Sequence, residues 1–137
     1  MWTWLTGSQT QHQLGVYGTK GLPDSAHTPG AHQRPAMWNS TSGTLVLLGG
    51  YLDNYPADGY YTDLGSYDTA TGHWVWLTGS SSPGQAGVYG TKGMPGPANT
   101  PGSRADGIAW AGDDGLLYLQ AGFGADAEGS SSGLADV

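Results

Sequence analysis

The chain has no cysteine, a single phenylalanine, and four lysines and arginines against eleven aspartates and glutamates. Without cysteine there is no disulfide framework, and the redox compartment cannot be read from thiol usage. A net charge of −7 with no basic stripe removes the counterion release that drives nucleic-acid affinity, which argues against nucleic acid as a partner. No apolar run approaches the ~20 residues of a membrane-spanning helix, which argues against membrane insertion. Nothing near Met1 has the order of a signal peptide. Charged residues make up only 11%, the usual helix formers are sparse, and no amphipathic segment reaches helix length.

What is abundant points to strands and turns: 25 Gly, 8 Pro, 6 Trp and 8 Tyr. The chain also repeats itself. Gly15-Val16-Tyr17-Gly18-Thr19-Lys20-Gly21 returns 72 residues later as Gly87-Val88-Tyr89-Gly90-Thr91-Lys92-Gly93. Trp2-Thr3-Trp4-Leu5-Thr6-Gly7-Ser8 returns at the same spacing as Trp74-Val75-Trp76-Leu77-Thr78-Gly79-Ser80. A fixed period of this size marks an array of similar units rather than one core. Each tryptophan has a counterpart one period away: Trp2 with Trp74, Trp4 with Trp76, Trp38 with Trp110. Copying in every unit fits an architectural role better than a ligand stack.

Alternation and turn signals predict four antiparallel strands per unit, near 33–39, 44–49, 62–67 and 73–78. The turn Asp68-Thr69-Ala70-Thr71-Gly72 pairs an Asp that bonds its own backbone with a Gly suited to positive φ. In 73–78 the two-residue period sends Trp74 and Trp76 to one face and Val75 and Leu77 to the other, so both faces are apolar and need neighbours. The second unit repeats strands near 105–110 and 116–120, then enters a polar stretch at 127–133 expected to be flexible, with a stub at 134–137.

The diglycine Gly49-Gly50, then Tyr67-Asp68, Thr71-Gly72 and Trp74, resemble the Kelch motif. In that motif a diglycine ends the second strand, a tyrosine lies in the third and a tryptophan opens the fourth. The long GVYGTKG…TPG insert is similar to the extended Kelch repeats of bacterial surface proteins, which implies an extracellular or cell-surface setting. The resemblance implies an all-β fold of Kelch-type β-propeller blades, each a four-stranded antiparallel meander, about two per chain. Departures are visible: the Arg that follows the Pro-Gly step is Arg104 in the second unit but His32 in the first, and the second diglycine is Ala121-Gly122.

The layout expected is an orphan outer strand and long loop over 1–32, a complete blade over 33–78, a long inter-blade loop over 79–104, and half a second blade with its tail over 105–137. The resemblance implies closure with six or seven blades, as in propellers of that family, so two flanked by orphans are expected to be incomplete as a monomer. Either the chain is part of a longer propeller, being already inside a repeat strand at Met1-Trp2, or copies associate into a ring or fibre. In the latter case segment 2–5 of one chain would complete the blade begun by 105–120 of another.

In such meanders the long connections share one side: 7–32, 51–61, 79–103 and 123–133. Candidate ligand-binding residues there are Tyr51, Asp53, Asn54, Tyr55, Asp58 and Tyr60, with Tyr17, Lys20, Tyr89 and Lys92. Tyrosine beside Asp and Asn suits a glycan or peptide, while Tyr17, Tyr89 and the two lysines alternatively pin their own loops. Trp2, Trp4, Trp38, Trp74, Trp76, Trp110, Gly49, Gly50, Tyr67, Asp68 and Gly72 are structural candidates. No catalytic residue, cofactor or metal is expected. The copper-radical oxidases among Kelch propellers need a Cys–Tyr cross-link. His12, His27, His32 and His73 lack ligand spacing and are expected in solvent. Asp53, Asp58 and Asp63 are expected to solvate one loop or hold a weak Ca²⁺ rather than hydrolyse glycosides. Two readings remain: a non-enzymatic glycan- or protein-recognition module, or a structural protein that self-assembles.

Overall fold

The computed structural model describes residues 1–39, 43–53 and 59–137. They form an all-β fold with antiparallel sheets, and no described segment is helical. No helix is long and apolar enough to cross a membrane among these residues.

The first unit is a meander in the order β1 (Ala36–Asn39), β2 (Thr44–Leu52), β3 (Gly59–Asp68), β4 (His73–Thr78). The second opens with β5 (Arg104–Ala105) and the hairpin β6 (Ile108–Ala111) and β7 (Leu117–Gln120), then adds β8 (Phe123–Ala125) and β9 (Ser131–Gly133). The sheet β5-β8-β9 copies the inner end of the first meander. The isolated bridge Gln33↔Tyr51 recurs as the pair Ala105↔Phe123. Segment 127–133 is therefore not a flexible tail, because its last three residues pair with β8.

Segment 2–5 differs from expectation in the other direction. It carries no strand pairing, and Trp2 is 84% exposed. A strand needs a partner for its backbone donors and acceptors, and no neighbouring strand stands beside this one.

The two units meet face to face. Ala36, Trp38 and Leu48, with Val46 and Leu64, form one face of the first meander and pack on Ala109 and Leu119 of the second. Trp38 Nε1–H is shared between the carbonyls of Trp110 at 3.0 Å and Tyr118 at 3.1 Å, so the indole is satisfied inside the seam. At one end Arg34 pairs with Asp106 at 2.6 Å, one residue from each unit at the same repeat position. This interface is heterologous: the Trp38 face of one unit meets the opposite face of the next.

That pattern leaves a matching face uncovered at each end. Trp110, the counterpart of Trp38, is 40% exposed and stacks on Tyr118 at 5.2 Å, whereas Trp38 is 5% exposed. On the other outer face Met37, the counterpart of Ala109, is 61% exposed.

The diglycine has a geometric cause. Gly49 takes φ 57° and Gly50 φ 109°, where the β2–β3 register shifts between Leu48 and Gly50. A Cβ at Gly49 would lie 2.5 Å from Tyr61 O and 2.8 Å from Arg104 O. In the second unit Ala121 occupies this left-handed conformation at φ 58°. Ala121→Gly should therefore stabilise the chain by about 1 kcal/mol by relieving the left-handed alanine, whereas Gly49→Ala should destabilise it by more because two carbonyls must move. Urea unfolding of both variants checks this, and equal effects of one sign would contradict it.

Candidate functional site

Each unit carries one long loop that folds back over it, and the two loops are built alike. Val16↔Thr28 and Val88↔Thr100 are equivalent bridges closing them. Gly15 and Gly87 are required because the following tyrosine ring lies over them: a Cβ would approach the rings of Tyr17 and Tyr89 to 2.6 and 2.7 Å. Each tyrosine reaches a carboxylate, Tyr17 OH donating to Asp63 Oδ2 at 3.2 Å and Tyr89 OH to Asp136 Oδ2 at 2.8 Å. The carboxylates stand 73 residues apart rather than 72, one residue having been added between β8 and the chain that follows it.

The third member of each group is where the units diverge. In the second, buried Arg104 grips Asp136 through two bonds of 2.7 Å each and holds its carboxyl below the usual range. In the first, His32 Nδ1 lies 3.7 Å from Asp63 Oδ1, too far for a hydrogen bond. Burial pushes His32 down to about 4 and Asp63 up to about 7, so both are neutral over the interval between. Burial beside Asp63 likewise raises Tyr17. Asp63 Oδ1, His32 Nε2, His27 Nδ1 and Trp74 Nε1 have no hydrogen-bond partner among the described residues. Tyr17, His27, Asp63 and Trp74 surround a cavity of about 20 Å³, the size of a single water.

Two expectations are corrected here. His27 and the His32 side chain are buried rather than solvated, because the long loop folds inward and carries them under it. Asp63 belongs to β3 and not to a loop; it is 6% exposed and anchors Tyr17.

The first loop also holds the outer strand. Gly21 N–H donates to Trp76 O at 2.8 Å and Asp24 N–H to Trp74 O at 3.2 Å. The Tyr17 ring meets the Trp76 ring edge-on at 5.2 Å, and Lys20 Nζ lies 4.5 Å from that ring's centroid. Thus Tyr17, Lys20 and Tyr89 are engaged within the protein, while Lys92 is exposed. The second unit has no counterpart of β4 among the described residues, and a groove of about 430 Å³ opens between its loop and the first meander.

Tyr51 and Tyr60 do not lie in a loop. They face each other across β2 and β3, with ring centroids 5.1 Å apart. Phe123 of the second unit lies 5.6 Å beyond Tyr60, so three rings run across the two units. Phe123 escaped the sequence reading, although its place 72 residues after Tyr51 marked it. Asp53 is exposed beside the strip; Asn54, Tyr55 and Asp58 lie outside the described residues. At the far end, Asp68 accepts from Ala70 N–H and Thr71 Oγ1–H and closes the β3–β4 turn, where Gly72 has φ 74°. Tyr67 sits under Trp74 at 5.0 Å.

No family model, no curated protein and no solved structure matches the chain.

The neutral pair in the first unit makes a signed prediction. Asp63, raised from 3.8 to about 7, favours the fold below its unfolded pKa and loses that contribution as pH rises through the interval. His32, lowered from 6.5 to about 4, favours it above 6.5 and loses that contribution as pH falls. Between about pH 4 and 6.5 the fold holds one extra proton at Asp63 and one fewer at His32, so these two contributions to the slope of stability cancel. His32→Arg, which copies Arg104, should drop the Asp63 carboxyl from about 7 to below its ordinary value in a ¹³C NMR titration. Titration still near 7 in that variant would show that the two groups are not equivalent.

Proposed function

We propose that this chain is a Kelch-type β-propeller segment with a non-enzymatic, structural role, associating head to tail with its own copies into a ring or fibre. One observation carries this reading: the seam inside the molecule joins two unlike faces, and counterparts of its residues, Trp110 on one outer face and Met37 on the other, are exposed. Trp38 is 5% exposed inside the seam and its counterpart Trp110 is 40% exposed outside it. Copies stacked this way would repeat the seam, and a heterologous contact propagates until it closes or continues as a fibre. The resemblance of the long repeats to those of bacterial surface proteins supports a cell-surface setting for such an assembly.

A second reading, recognition of a glycan or peptide on the long-connection side, is favoured by the strip Tyr51, Tyr60 and Phe123. Its rings offer a partly exposed apolar plate with Asp53 beside it.

Light scattering over a concentration series separates the two readings. The wild-type chain should exceed the mass of one copy as concentration rises. Trp110→Glu, which places a charge on an outer face, should weaken association by about 2 kcal/mol, or roughly 30-fold. A chain that keeps monomer mass throughout would contradict assembly. For the recognition reading, a glycan array should give signals that Tyr60→Ala abolishes, and a blank array with folded protein would count against it.

A further inference from the structure

We propose that the cavity under the first long loop is a binding site for one water molecule, which ties the loop to the sheet by bonding Trp74, Asp63 and His27 at once. The site concerns the closure of the first unit and is independent of how copies associate.

Three polar atoms define it. Trp74 Nε1, Asp63 Oδ1 and His27 Nδ1 are buried and have no hydrogen-bond partner among the described residues. Asp63 and His27 are 6% and 7% exposed, so bulk solvent does not serve them. They come from separate elements: Trp74 from β4, Asp63 from β3 and His27 from the long loop. A buried polar group costs free energy unless something bonds it, and native structures leave few such groups unpaired. All three residues line one cavity of about 20 Å³, above the ~10–15 Å³ that a single water needs.

The second unit shows which bond the first lacks. There both oxygens of Asp136 are engaged: Arg104 Nη1 donates to Oδ1 and Nη2 to Oδ2, each at 2.7 Å, and Tyr89 OH adds a bond to Oδ2 at 2.8 Å. Asp63 keeps only the tyrosine bond, from Tyr17 OH to Oδ2 at 3.2 Å. His32 stands at the place of Arg104 but is shorter, and its Nδ1 stops 3.7 Å from Oδ1. Exchanging a long forked donor for a short ring therefore leaves Oδ1 to another partner. The other end of the site differs in the same way. Asn99, the counterpart of His27, donates its amide to Met94 O at 3.3 Å within its own loop, whereas His27 Nδ1 has no such bond.

Water matches this set in number and in sense, because it offers two protons and two lone pairs. Trp74 Nε1–H only donates, so it takes a lone pair. Asp63 Oδ1 accepts one proton, and His27 Nδ1 accepts the other when the ring carries its own proton on Nε2. A metal ion would face the indole N–H, and a halide would face the carboxyl oxygen, so neither suits all three.

The test uses the whole chain. A high-resolution crystal structure should show one isolated density peak within hydrogen-bond distance of Trp74 Nε1, Asp63 Oδ1 and His27 Nδ1. In solution, ¹⁷O magnetic relaxation dispersion counts long-lived internal waters, and Gly65→Ala supplies the comparison. Gly65 lines the cavity from β3, and a Cβ there would meet Val75 O at 3.5 Å and Trp74 Cε3 at 3.7 Å, which are ordinary contacts. The variant should keep the wild-type circular dichroism and hold one long-lived water fewer. The Trp74 indole proton, assigned by its loss in Trp74→Phe, should cross-relax with a long-lived water in the wild type and not in Gly65→Ala. A dry cavity in the crystal, density with the coordination of an ion, or equal water counts in the wild type and a folded Gly65→Ala would each overturn the proposal. Should that variant fail to fold, the wild-type crystal and the indole cross-relaxation decide: a water seen by both supports the site, and a water seen by neither overturns it.

Discussion

A sheet whose two faces are both apolar has to be covered twice, and the whole molecule is arranged around that requirement. In the first meander one cover is the second unit, and the buried Trp38 indole marks the seam by bonding two carbonyls across it. Part of the other cover is the long loop, which folds back so that Tyr17 reaches Asp63 and Lys20 lies over Trp76. The second unit has a loop of the same construction, but its Trp110 face is not covered by a neighbour. Burying an aromatic side chain contributes about 1.5–3 kcal/mol, a large fraction of the net stability of a small domain. The proposed head-to-tail association rests on this cost: another copy would cover the exposed counterparts of the seam residues.

The all-β fold was legible because its signals are local and repeated. The Asp68…Gly72 turn sets the start of the fourth strand, and 73–78 agrees with β4, His73–Thr78. Period-2 alternation also located β1 and β7 to within a few residues. What could not be read depends on tertiary partners. Segment 2–5 has the composition of β4, yet no strand lies beside it, so sequence identity did not produce the same structure. The reverse holds at 127–133, whose Gly and Ser suggested a flexible tail. There the β8 edge supplies a template, and Ser131–Gly133 pair with it.

The candidate site shows the same division. The loss of Arg in the first unit was visible as His32 aligned with Arg104. Its consequence was not, because Asp136 and Asp63 are offset by one residue and no pattern linked either to its tyrosine. Burial of His27, His32 and Asp63 arises from a loop packing onto a sheet, which residue type alone does not announce. Tyr51 and Tyr60 were singled out as loop residues and proved to be a cross-strand pair, while Phe123, the third ring of the strip, comes from the other unit. Repeat position would have found it, as it explains Ala121 in the conformation of Gly49.

Whether outer faces are half-contacts is tested most directly by thermal unfolding of the wild-type chain across about a thousandfold dilution, followed by near-ultraviolet tryptophan dichroism. If copies cover one another, binding stabilises the folded state by mass action, and the midpoint should fall by several degrees on dilution while the transition becomes less cooperative. A midpoint that does not move, with a single sharp transition at every concentration, would mean that one copy is sufficient to itself and would contradict the account.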